Sequence, residues 1–129
     1  LKGFALMDSE SEFPFQYFIS VNGPFAVVTL SGEITKDSLE RLKEVDDKTL
    51  AIDARFYVLL LRDVVAIGKE VIPFFASLQY KIRGKGELRV CALRQDLKEK
   101  LVKEGVLRAL EITEDLQTTL LDLKSKIGT

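Results

Sequence analysis

The chain has 129 residues, 47% of them hydrophobic and 30% charged, with 19 basic and 20 acidic side chains and a net charge of −1. That is enough apolar material for one core and too little for two ordinary domains. The charge balance excludes a generic nucleic-acid binder, which needs a basic surplus to neutralise phosphates. Histidine is absent and Cys91 is the single cysteine. Ser-His and Cys-His catalytic groups, an internal disulfide and a cysteine-built zinc site are therefore excluded within the chain. The cysteine usage points to a reducing, cytoplasmic setting, and no metal or cofactor is expected.

Residues 1–14 (LKGFALMDSESEFP) lack the basic start and apolar middle of a signal peptide and read as a flexible leader. A start at Leu1 rather than Met is expected of a processed or excised segment. No run of eighteen apolar residues exists, so no membrane span is expected.

In residues 15–21, Phe15, Tyr17, Ile19 and Val21 alternate with polar positions, which predicts a strand. Asn22-Gly23 is a hairpin-turn signal, weakened as a strict two-residue loop by Pro24. Residues 25–30 (FAVVTL) read as the partner strand, ended by Gly32. Thr35 or Asp37 can cap a short helix with Leu39, Leu42 and Val45 on its apolar stripe. Asp46, Asp47 and Lys48 predict a turn, and residues 49–53 (TLAID) a central strand.

From Leu61 to Ile82 apolar residues recur at helical spacing, with a kink or break expected near Pro73. Gly84-Lys85-Gly86 predicts a turn before a strand at 87–92. Asp96 can cap a helix with Leu97 and Leu101 inward, ended by Gly105. A short last strand falls at 107–112, and Thr113 caps a closing helix striped by Leu116, Leu120, Leu123 and Ile127. The pattern predicts a single α/β domain over residues 15–127. Its mixed β-sheet opens with a hairpin, continues with alternating helices and strands, and is covered by about four helices.

At two segments the chain resembles the STAS domain of anti-sigma factor antagonists and of anion-transporter tails. These are residues 26–45 (AVVTLSGEITKDSLERLKEV) and 86–120 (GELRVCALRQDLKEKLVKEGVLRALEITEDLQTTL). The resemblance implies a bacterial, cytoplasmic protein-interaction domain of signal transduction and transcription regulation. Its partner would be an anti-sigma factor or related signalling protein, met through the loop–helix edge near residues 60–68. In the family a serine of an Asp-Ser-(Ser or Ala)-Gly motif, after the central strand, is phosphorylated. The nearest segments here, Leu60 to Val64 or Ala66-Ile67-Gly68, hold no Ser, Thr or Tyr, so no phosphorylation switch is expected. Thr35 also replaces an Asp usual in the family.

The partner-binding candidates are Arg62, Asp63, Thr35 and Lys36. Asp63 is expected near a helix start, as a fixed negative charge in place of a phosphoserine. A homodimer is a further expectation to test. The alternatives are a STAS-like domain of a transporter or multidomain protein, and a small-ligand or nucleotide-binding module. Enzymatic activity is not expected: no carboxylates form a clear apolar-flanked pair. Of the remaining features, Lys81, Arg83, Lys85 and Arg89 read as a solvated basic turn, and Lys98, Lys100 and Lys103 as the wet face of a helix. Cys91 reads as a small buried hydrophobe, and Phe74, Phe75 and Tyr80 as core.

Overall fold

The computed structural model describes residues 13–108 and 111–127. The expected leader therefore lies outside the described residues, apart from Phe13 and Pro14. Two strands open the fold, β1 (Gln16–Asn22) and β2 (Phe25–Ile34). Asn22 pairs with Phe25, so Gly23-Pro24 closes a two-residue loop after all. Gly23 supplies the positive φ of +60°, and the fixed φ of proline suits the second loop position.

A 3₁₀ turn at Lys36–Ser38 leads into α1 (Leu39–Leu50), and the chain returns as β3 (Phe56–Ile67). A second 3₁₀ turn, Lys69–Val71, leads into α2 (Ile72–Arg83). Then come β4 (Glu87–Cys91), α3 (Gln95–Lys103), β5 (Ile112–Thr113) and α4 (Leu116–Ile127). The strands form one sheet in the order β1-β2-β3-β4-β5. β1 and β2 are antiparallel and the other pairs are parallel. The expected hairpin, mixed sheet and four helices are present.

The sheet separates two apolar layers. On one side, Leu42 and Val45 of α1, Phe75, Leu78 and Ile82 of α2, and Leu97 and Leu101 of α3 meet Val28, Leu30, Tyr57, Leu59, Leu61 and Val90. On the other, Leu123 of α4 meets Phe25, Phe56, Val58, Leu60 and Cys91. Alternate residues of β3 thus serve opposite layers, as the pleat requires.

The central strand departs from the expectation. Thr49 and Leu50 finish α1, and β3 occupies residues that read as undecided or helical. Residues 56–61 are buried throughout, so no alternation marks them as strand. Beyond Leu60, two irregularities in the pairing with β2 each insert an extra residue into β3. Leu61, Val64 and Ile67 are buried in one layer as a result, and their spacing of three imitates a helix. Pro73 lies in the first turn of α2, where a missing N–H costs nothing, so it begins that helix rather than kinking it.

The last strand is also shorter than expected: Val106 and Leu107 are buried, residues 109–110 lie outside the described residues, and pairing is confined to Ile112 and Thr113. Thr113 does not cap α4. Asp115 does, accepting from the Thr118 N–H at 2.7 Å.

Candidate functional site

β3 outruns its neighbour. Its pairing with β4 ends at Leu60, so Leu61 to Ile67 run on with only β2 alongside among the described strands. The tip is held by three bonds. The Gly68 N–H donates to the Ile34 carbonyl at 2.8 Å, and Val71 N–H to the Gly68 carbonyl at 3.2 Å. From α3, Lys100 Nζ donates to the Ile67 carbonyl at 2.8 Å. Lys100 is thus turned inward to a strand end, not left on the wet helix face expected for it.

These bonds bring the loop after β2 against the loop after β3. In the first loop, the Asp37 N–H donates to Thr35 Oγ1 and the Thr35 N–H to Ser38 Oγ, both at 3.2 Å. This reciprocal cap orders the entry to α1. In the second, a Cβ placed on Gly68 would lie 3.2 Å from a Glu70 carboxylate oxygen and 3.6 Å from the Thr35 Cα. Lys36, Asp37, Lys69 and Glu70 are exposed around this junction, with both signs of charge interspersed. Beside it, Lys69, Pro73, Lys100 and Glu104 border an open depression of about 450 Å³.

Arg62 and Asp63 sit elsewhere on the same projection. They occupy the first bulge of β3, exposed and paired with each other at 3.4 Å. Asp63 is level with Ser31, so about 13 Å of strand separates it from Thr35 at ~3.3 Å per residue. Asp63 is therefore not at a helix start, because α2 begins only at Ile72. The acid in the turn that enters α2 is Glu70. The structure brings Thr35 and Lys36 together with Gly68, Lys69 and Glu70, and leaves Arg62 and Asp63 on the flank of the strand. Gly68 followed by Pro73 was the signal that marked this junction. The loop Gly68–Val71 contains no hydroxyl side chain.

The remaining candidates do not converge. Lys81 pairs with Asp46 at 3.2 Å, Arg83 with Glu111 at 2.6 Å and Arg89 with Glu87 at 2.6 Å. Lys85 donates to the Leu50 carbonyl at 2.9 Å. Cys91 is buried, and burial pushes its thiol up to about 11 against a hydrogen bond with Thr119. Phe75 is buried and Phe74 half-buried, but Tyr80 is 79% exposed and so is not core. Among the described residues no three His, Cys, Asp or Glu side chains are grouped to hold a metal, and no helix is long and apolar enough to cross a membrane.

No family model matches the sequence, and no curated protein matches it. Solved structures do resemble it. An anti-sigma factor antagonist from Mycobacterium paratuberculosis superposes with a TM-score of 0.76 at 17% identity, over 88% of this chain and 97% of that one. The Bacillus cell fate determinant SpoIIAA in its phosphorylated form gives 0.64 at 10% identity, over 84% and 97%. The murine Slc26a9 anion transporter gives 0.68 at 12% identity, over 82% of this chain but 18% of that one. The fold of this chain, from hairpin to closing helix, is the STAS fold of the anti-sigma factor antagonists.

Proposed function

We propose that this chain is a non-catalytic regulatory domain of a bacterial cytoplasmic signalling system. Its partner is an anti-sigma factor or a related protein, held by the projecting end of β3 and the two loops at its tip. One observation carries this reading: β3 runs past β4 to a tip fixed by a hydrogen bond donated to β2 and one accepted from α3. A fixed projection with mixed exposed charge suits recognition by another macromolecule, since little ordering entropy is lost on contact.

In this reading Thr35 positions its loop, while Lys36, Arg62 and Asp63 contact the partner. Glu70 places one carboxylate at the entry to α2, where a phosphoserine would bear about −1.5 to −2. Binding is then not switched by phosphorylation of this loop.

The test is a calorimetric titration of the chain with the anti-sigma factors of its host. Asp63→Ala, Lys36→Glu and Glu70→Lys are expected to weaken binding about tenfold each, ~1.4 kcal/mol, while melting temperatures stay unchanged. Tyr80→Ser, outside this surface, is expected to bind as the parent does. Absence of binding, or all three variants within threefold of the parent, would overturn the reading.

A further inference from the structure

We propose a second docking site, independent of the surface above: a groove beside α4 that receives one amphipathic helix of a partner polypeptide, with a carboxylate of that helix set against Lys124. The observation behind it is an incomplete layer. Three helices cover one side of the sheet, but among the described residues α4 alone covers the other. Five strands about 4.8 Å apart span roughly 19 Å between the outer two. One helix is about 10 Å across and covers roughly half of that. α4 packs over β4 and β5, and its Leu123 reaches Phe56, Val58 and Leu60 of β3 and Phe25 at the start of β2. Among the described residues no helix covers the outer face of β1 and the adjoining part of β2.

This open strip is a groove of about 290 Å³ lined by Phe18, Val27, Leu60, Leu116 and Leu120, with the polar Ser20, Asn22 and Thr29 also in its lining. Phe18 is 67% exposed at its margin, and Leu121 of α4 is 64% exposed. Lys124 is the one charged side chain in the lining. It has no ion-pair partner among the described residues, unlike Lys126 on the same helix, which pairs with Glu87. A mainly apolar floor with a single unpaired cation at the edge suits an apolar stripe flanked by an acid.

The length also fits a helix. The stretch of β2 from Phe25 to Thr29 is about 13 Å long, which about nine residues of helix cover at 1.5 Å each. A second copy pairing along the edge of β1 would leave the groove open in both copies.

The probes are fluorescein-labelled 16-residue helical peptides with leucines at i, i+3, i+4 and i+7 and a glutamate scanned along the flank. Each has a twin with lysine in place of glutamate. At least one acidic peptide is expected to bind the full chain ten times more tightly than its lysine twin. Phe18→Ser should weaken it tenfold with the melting temperature unchanged, since Phe18 is exposed. Lys124→Glu should reverse the preference. Equal binding of the twins, or no effect of Phe18→Ser, would sink the proposal. It would equally fail if sedimentation showed a dimer that Phe18→Ser dissolves, if dodecanoate bound where no peptide did, or if a peptide of residues 1–12 took the groove instead.

Discussion

Arg83 and Glu111 form a two-point ion pair, with Nε donating to Oε2 at 2.8 Å and Nη2 to Oε1 at 2.6 Å. Nη2 also reaches Gln79 Oε1 at 3.3 Å. Glu111 is 4% exposed. The pair ties the last turn of α2 to the segment entering β5, where the strand pairing itself is only two residues long.

Removing one partner leaves the other charge in a poorly hydrated place. Glu111→Ala is therefore expected to lower stability by about 3 kcal/mol, read from the urea midpoint. The pair also makes stability pH-dependent. Burial pushes Glu111 up, but the hydrogen bonds and charge of Arg83 outweigh it and hold the carboxyl below its usual 4.5. The folded chain thus binds this proton less readily than the unfolded chain. The contribution is complete above the unfolded value and is lost as pH falls through the folded one. Between pH 7 and pH 4 or below, Glu111→Gln should lose less stability than the parent.

Gly32 has a φ of +86°, and a Cβ there would collide with the Pro14 carbonyl oxygen. Neighbouring Glu33 donates its N–H to the Phe13 carbonyl at 2.8 Å, so this close approach fastens the chain before β1 onto β2. Gly23 also has a positive φ, but nothing lies within 4 Å of its added Cβ. Gly23→Ala should cost about 1–2 kcal/mol from backbone strain alone. Gly32→Ala should cost measurably more, because strain and collision add. Thermal unfolding of both variants compares them directly.

Tyr57 is 1% exposed, and its hydroxyl holds the link between α1 and β3. It donates to the Ile52 carbonyl at 2.5 Å and accepts from the Ala54 N–H at 3.2 Å. Tyr57→Phe keeps the ring in the core and strips both backbone groups of a partner. A loss of about 1–3 kcal/mol is expected, with faster hydrogen exchange at the Ala54 amide.

Cys91 should be inert to thiol reagents at pH 8 in the folded chain, because its value is raised to about 11. Here the unfolded chain gives up the proton first. Stability should therefore fall as pH rises from about 9 to 11, by ~2 kcal/mol at the upper end. Cys91→Ala should flatten that part of the pH profile relative to the parent.

Local pattern alone located the hairpin, the α1 stripe of Leu42 and Val45, β4 and the stripe of α4. In each of these, apolar and polar residues alternate at a regular spacing, so its period is written in the residues. β3 lacks that contrast. Its first half is buried on both sides, and its second half is bulged into a spacing of three. The candidate surface was legible in the same uneven way. Thr35 and Lys36 follow directly from a capping signal. Gly68, Lys69 and Glu70 stayed hidden behind the misread strand, and Arg62 and Asp63 were placed at a helix start that lies further along the chain.

Composition and spacing by themselves determined the class of molecule: an opening hairpin, helices alternating with strands, and no histidine chemistry. These depend on residue type and on contacts near in the chain. Tertiary structure alone decided which strand is central, where β3 outruns β4, that Lys100 caps Ile67, and that α4 leaves Phe18 uncovered. Each of those depends on pairing between segments distant in sequence, where the partner's length and register, not the segment's own residues, set the outcome.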